Sequence, residues 1–169
     1  FRTDMRDSGA HVNDSGAKKV TSYLGKFITE TYDIPDRRNE SKYDAWNRDG
    51  QIYTEYKFDR IREQSDLDKY LMLLSDKRVE AEIGIKEGSA VLEDERLMEL
   101  IRNVYFYESE DTMCIQPLKN QEKDTADVWI RVTDAVTGNV EDEASFCIDE
   151  GSGNLKAVRV KENQECLQT

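Results

Sequence analysis

The stretch that most constrains the fold is residues 126–161. In ADVWIRVTDAV, Val128, Ile130, Val132 and Val136 alternate with Asp127, Trp129, Arg131 and Thr133. Successive side chains of a strand point to opposite faces, so a period of two marks one buried face and one wet or half-covered face. Two more strand-like runs follow, VEDEASFCID and LKAVRVK, set off by TGN and EGSGN. Gly and Asn accept positive φ at little cost, which suits them to tight turns. The three runs predict an antiparallel meander, and its apolar face must be covered by other elements.

The upstream residues supply candidates for that cover. Val20, Leu24, Phe27, Ile28 and Thr31, with Tyr23 beside them, recur at helical spacing and predict a helix over 17–33. Asn13, Asp14 or Ser15 can cap it, and Pro35 pushes Ile34 out of the α region and ends it. A second helix is predicted over 65–77, opened by Ser65 and apolar at Leu67, Tyr70, Leu71 and Leu74. A third, over 92–103, is apolar at Leu97, Leu100, Ile101 and Val104 and carries Glu93, Asp94 and Glu95 in its first turn. Val79–Ile85 reads as a short strand, and Val104–Glu108 and Thr112–Leu118 as two more. Between the first two helices, Tyr43, Ala45 and Trp46 on one side and Ile52, Tyr53, Tyr56 and Phe58 on the other flank Asp49-Gly50, predicting a hairpin over 42–58. The expected fold class is α+β, a curved antiparallel sheet with helices packed on one face. The expected layout is a flexible lead-in over 1–16, one α+β domain over 17–161 and a tail over 162–169.

Charge and cysteine content narrow the function classes. The net charge is −12, so the field repels nucleic acid, whose binding depends on Lys and Arg neutralising phosphates. No run of about eighteen apolar residues spans a membrane. Cys114 and Cys147 fall in predicted strands and read as small hydrophobes, and with Cys166 they form no zinc-type spacing. The only histidine, His11, lies in the lead-in, which leaves the serines without a base partner. The chain opens on Phe1 rather than Met, consistent with a mature fragment whose N-terminal neighbour has been removed.

Residues 59–161 resemble the nuclear-transport-factor-two-like superfamily, a cone-shaped α+β fold. The stretches that carry the resemblance are DRIREQSDLDKYLMLLSDKRV, LEDERLMELIRNV, VWIRVTDAV, ASFCID and LKAVRV. Enzymes of that superfamily keep an Asp–His or similar pair facing the pocket, which this chain lacks. The resemblance therefore implies the non-catalytic branch, which includes the conical domains of type IV secretion and conjugation machines. It implies a protein-interaction or assembly module without a cofactor, partnered by other protein subunits, a homo-oligomer among them. It also implies an extracytoplasmic location if an anchor was removed, and a cytoplasmic one otherwise.

A second resemblance covers only residues 42–58. Asp44 followed by Glu55-x-Lys57 is similar to the core of the PD-(D/E)XK nucleases, with Glu30 as an additional acid. On a hairpin, Glu55 and Lys57 share one face and Asp44 on the facing strand lies beside them. Two carboxylates can hold Mg²⁺, and the lysine can steady an attacking water. The alternative expectation is thus a Mg²⁺-dependent nuclease using Asp44, Glu55 and Lys57. The same residues equally make the wet face of a hairpin that buries Ile52, Tyr56 and Phe58.

Overall fold

The computed structural model describes residues 2–5, 11–105, 115–117, 126–149 and 155–160. The meander is present. Strands β3 (Val128–Asp134), β4 (Val140–Asp149) and β5 (Lys156–Arg159) pair antiparallel in chain order. β1 (Val79–Ile85) lies antiparallel on the other side of β3. A short β2 (Ile115–Pro117) adds to the edge of β1 in parallel, giving the order β2-β1-β3-β4-β5. The first turn of the meander uses Gly138 at φ 73°.

Register explains the core. Ile83 faces Ile130, which faces Ala144, and Ile85 faces Val128, which faces Phe146. These residues share one face of the sheet and are buried. Two helices cover that face, α3 (Leu67–Leu74) and α4 (Glu95–Val104). They contribute Leu71, Leu74, Leu97, Leu100 and Ile101 to the same apolar cluster, and the ring of Tyr70 meets Phe146 edge-on at 5.1 Å. Each fully buried aliphatic side chain here stabilises by about 1.5–3 kcal/mol. Asp94 caps α4 by accepting from the Leu97 N–H at 2.8 Å. On the opposite face Trp129 is covered by Arg131, whose guanidinium carbon lies 5.3 Å from the ring centroid, and its indole N–H donates to Glu143. The fold is α+β with helices on one face of the sheet.

Several expectations are corrected. Residues 42–58 are not a hairpin: they fall in the three-residue 3-10 helix Ser41–Tyr43 and in α2 (Asp44–Glu63). Asp49-Gly50 signals a turn only where two strands find a sheet, and an isolated pair is marginal in water. Here Phe58 and Ile61, three apart, dock the end of α2 on the core as a helix. The first helix forms as α1 (Asp14–Tyr32), capped by Asn13, but its apolar face does not cover the sheet. Asp66 rather than Ser65 caps α3, which ends at Leu74. Val104 closes α4 instead of opening a strand, and most of the expected strands over 104–108 and 112–118 lies outside the described residues. Val136 sits exposed in the turn after β3. The described part of the lead-in is packed: residues 2–4 form a 3-10 helix and Met5 bridges Val12.

Candidate protein interface

Helix α1 leaves the body after its first turn. Ser15 and Gly16 are buried, and the next buried residue in the chain is Lys57. The forty residues 17–56 between them include none that is buried. Yet Val20, Tyr23, Leu24, Phe27 and Ile28 stand at i, i+3, i+4, i+7 and i+8, the spacing of a core-facing helix stripe. Tyr32 and Ile34 extend it, and α2 adds Trp46, Ile52, Tyr53 and Tyr56 within about 120° of its circumference at 3.6 residues per turn. These eleven large apolar residues are 40–77 % exposed. Helices of 19 and 20 residues run about 28–30 Å, so the pair projects as an arm.

The arm is fastened at its base by ion pairs. Lys57 Nζ lies 2.8 Å and Lys18 Nζ 3.1 Å from Asp76 Oδ2, just beyond α3. Arg60 of α2 reaches Asp14 of α1 at 3.4 Å. Residues 14 and 18 thus stand near 60 and 57 through these pairs, which gather the start of α1 and the end of α2 against the body. Burial alone pushes the Asp76 carboxyl up, but the Lys57 ammonium, the Arg78 backbone N–H and Lys18 override it and hold the group at about 2. Burial lowers the Lys57 ammonium, and Asp76 opposes that shift.

A second clasp holds the start of α1. Asp4 Oδ1 accepts from Ser15 Oγ at 2.7 Å and from Asn103 Nδ2 of α4 at 2.9 Å, and Asp4 Oδ2 accepts from Lys19 Nζ at 2.7 Å. Lys19 also donates to the Asn103 side-chain oxygen. Burial pushes the Asp4 carboxyl up, yet the donors from Lys19, Ser15 and Asn103 bring it down to about 2. These polar groups satisfy one another, and the arrangement is structural: it ties residues 2–4, α1 and α4 together.

The residues of the nuclease alternative are not gathered. Asp44 and Glu55 are eleven residues apart on one helix, about 16 Å along its axis. Glu55 and Lys57, two apart on a helix, point about 160° away from each other. Lys57 is engaged by Asp76, and Glu30 lies exposed on α1, 3.8 Å from Lys26. Among the described residues, no three His, Cys, Asp or Glu side chains are placed to hold a metal ion. The signal for the arm was present in the sequence as the α1 stripe, but amphipathicity says that a face is apolar and not what covers it.

Cys147 on β4 is half-buried and disulfide-bonded, and its partner lies outside the described residues. No helix among the described residues is long and apolar enough to cross a membrane. Compared with known proteins, the chain matches no family model, no curated protein and no solved structure.

Proposed function

We propose that the chain is a non-catalytic interaction module that engages other protein subunits through the α1–α2 arm. One observation carries the reading: forty consecutive residues with eleven large apolar side chains and no buried residue. Most helical stability in proteins comes from packing an amphipathic face rather than from propensity. Monomers rarely expose apolar patches beyond a few hundred Å², and larger ones mark interaction sites. The body, by contrast, has its polar groups satisfied, with no buried side-chain donor or acceptor left without a partner among the described residues. The resemblance to the assembly branch of the nuclear-transport-factor-two-like superfamily suggests a secretion or conjugation machine as the setting. The disulfide at Cys147 supports an oxidising compartment, because cytosolic thiols are kept reduced.

Photo-crosslinking residues placed at Phe27 and Tyr53, with exposed Glu80 on β1 as the control position, test the reading in the native host. Protein adducts are expected from positions 27 and 53 and not from 80. Arm positions that yield no protein adduct overturn it.

A further inference from the structure

We infer that Cys147 is bonded to Cys166, so that a covalent tether closes the C-terminal residues back onto β4 while Cys114 keeps its thiol. The inference stands apart from the arm, and its failure would leave the interaction-module reading untouched.

Cys147 is disulfide-bonded, and the chain offers it two partners, Cys114 and Cys166. The sheet rules out the first. Cys114 directly precedes Ile115, the first residue of β2, and β2 lies at the far edge of the order β2-β1-β3-β4-β5. The register runs straight across: Ile115 faces Ile83, Ile83 faces Ile130, and Ile130 faces Ala144. Neighbouring strands lie about 4.8 Å apart, so Ile115 is about 14 Å from Ala144. Cys147 stands three residues beyond Ala144, about 10 Å further along β4. Across and along together, about 17 Å separates the Cα atoms of Ile115 and Cys147. One peptide unit of about 3.8 Å ties Cys114 to Ile115, so Cys114 comes no nearer than about 13 Å. Bonded cysteines have their Cα atoms within about 7 Å.

Cys166 meets the same requirement. β5 is the direct neighbour of β4, and Cys147 faces Val158. β5 ends at Arg159, and the Val160 N–H still donates to the Ser145 carbonyl at 2.8 Å. Val160 therefore lies about 8 Å from Cys147. Cys166 follows six residues later, and six residues span up to about 20 Å, which covers the gap. Phe146 points into the core, so Cys147 points to the opposite face of the sheet, the face that carries Trp129. The bridge therefore stands on the side away from α3 and α4.

The bond forms by exchange with an external disulfide of the glutathione or thiol-oxidoreductase class. One of the two cysteine thiolates attacks that disulfide and expels a thiol. The other then attacks the protein sulfur of the mixed disulfide and expels the second thiol. The protein gives up two electrons and two protons, and the external disulfide leaves as two thiols. The closed ring, residues 147–166, restricts the unfolded chain and so favours the folded one.

Trypsin separates the three cysteines into peptides 103–119, 132–156 and the one that opens at Glu162. The full chain, isolated from its native host without reductant and blocked with N-ethylmaleimide under denaturing conditions, is digested and its peptides weighed. The expected result is 132–156 joined to the Glu162 peptide, with maleimide on 103–119. A bond between 132–156 and 103–119 overturns the inference, as does maleimide on Cys147 or a bond from Cys147 to a second chain. Urea unfolding supplies a second measurement. Cys166→Ser is expected to lower the folding equilibrium constant on the order of 100-fold, as for opening a ring of this size. Dithiothreitol is expected to lower the parent by as much and to leave Cys166→Ser unchanged. Cys114→Ser is expected to keep both the bond and the stability, and loss of the bond in that variant overturns the inference.

Discussion

The body and the arm solve the same problem in opposite ways. Both are built from amphipathic elements with one apolar face. In the body, the sheet face at Ile83, Ile130 and Phe146 meets the faces of α3 and α4, and these residues are fully buried. In the arm, the face of α1 at Val20, Leu24 and Phe27 meets no core of its own chain. The difference lies in where the chain fastens. α4 is flanked in sequence by β1 and the meander and buries side chains from Leu97 to Val104, whereas α1 and α2 are held only at their bases, by the Asp4 clasp, the Asp76 ion pairs and the docked Phe58 and Ile61. An amphipathic helix held at one end carries its apolar face away from the core, and that face stays exposed.

The sharpest way to break this comparison is to truncate one phenylalanine in each region. Phe146→Ala is expected to destabilise the body by about 3–5 kcal/mol, the usual effect of emptying a fully buried aromatic site. Phe27→Ala is expected to leave the body within about 0.5 kcal/mol of the parent, as for an exposed position. Urea unfolding followed by Trp129 emission in a Trp46→Phe background measures both, and equal losses would erase the distinction between arm and body.

The junction comes next. Asp76→Asn leaves Lys57 buried without its counter-charge, close to Lys18 and Arg78, and breaking a buried pair from one side costs about 3–5 kcal/mol. Adding Lys57→Met is expected to recover part of that loss, and a double variant as unstable as the single one would show that the pair is not what fastens α2.

Acid acts on both fastenings. Asp4 and Asp76 sit at about 2 in the folded chain against an ordinary 3.8. A carboxylate depressed by folding stabilises above its unfolded value, and the contribution is lost as pH falls through 3.8 toward 2. Each is expected to contribute about 2 kcal/mol that disappears over that window. Stability curves at pH 5 and pH 2.5 for the parent and for Asp4→Asn measure it: the variant should show the smaller loss between the two pH values. An equal loss would remove Asp4 from the account.

The glycines give the smallest effect and the finest contrast. A Cβ at Gly16, in the clasp, would meet the Asp4 carbonyl oxygen at 2.5 Å, and Gly16→Ala is expected to destabilise by about 1–3 kcal/mol. At Gly25 and Gly50, in the arm, a Cβ meets nothing within 4 Å. Alanine there is expected to stabilise the helices by about 0.5–1 kcal/mol each. Slower amide hydrogen exchange within 20–53 reads the gain, and unchanged exchange would mean that α1 and α2 are already held by something beyond their bases.

Much of the body was legible. The alternation of Val128, Ile130 and Val132 and the turn residues around Gly138 specify β3 and its reversal because strand period and turn chemistry are local properties. The same holds for the stripe of α4 at Leu97, Leu100, Ile101 and Val104, although the helix opens at Glu95 behind its cap Asp94 and not at Leu92. Residues 42–58 were misread because Asp49-Gly50 carries a hairpin signal and a short aromatic-rich run fits either period. The choice fell to Phe58 and Ile61, which dock only as a helix.

What the sequence by itself determined is the set of faces: an alternating strand face, and helical stripes on α1, α3 and α4. Only the tertiary structure decided which faces meet. Asp4 reaches Asn103 across ninety-nine positions and Lys57 reaches Asp76 across a helix, and no local pattern encodes such pairs. β2 joins β1 in parallel for the same reason, since its partner is chosen by space rather than by its own three residues. Periodicity reports that a face is apolar because it depends on neighbours along the chain. Burial depends on neighbours in space, and in residues 17–56 the two disagree.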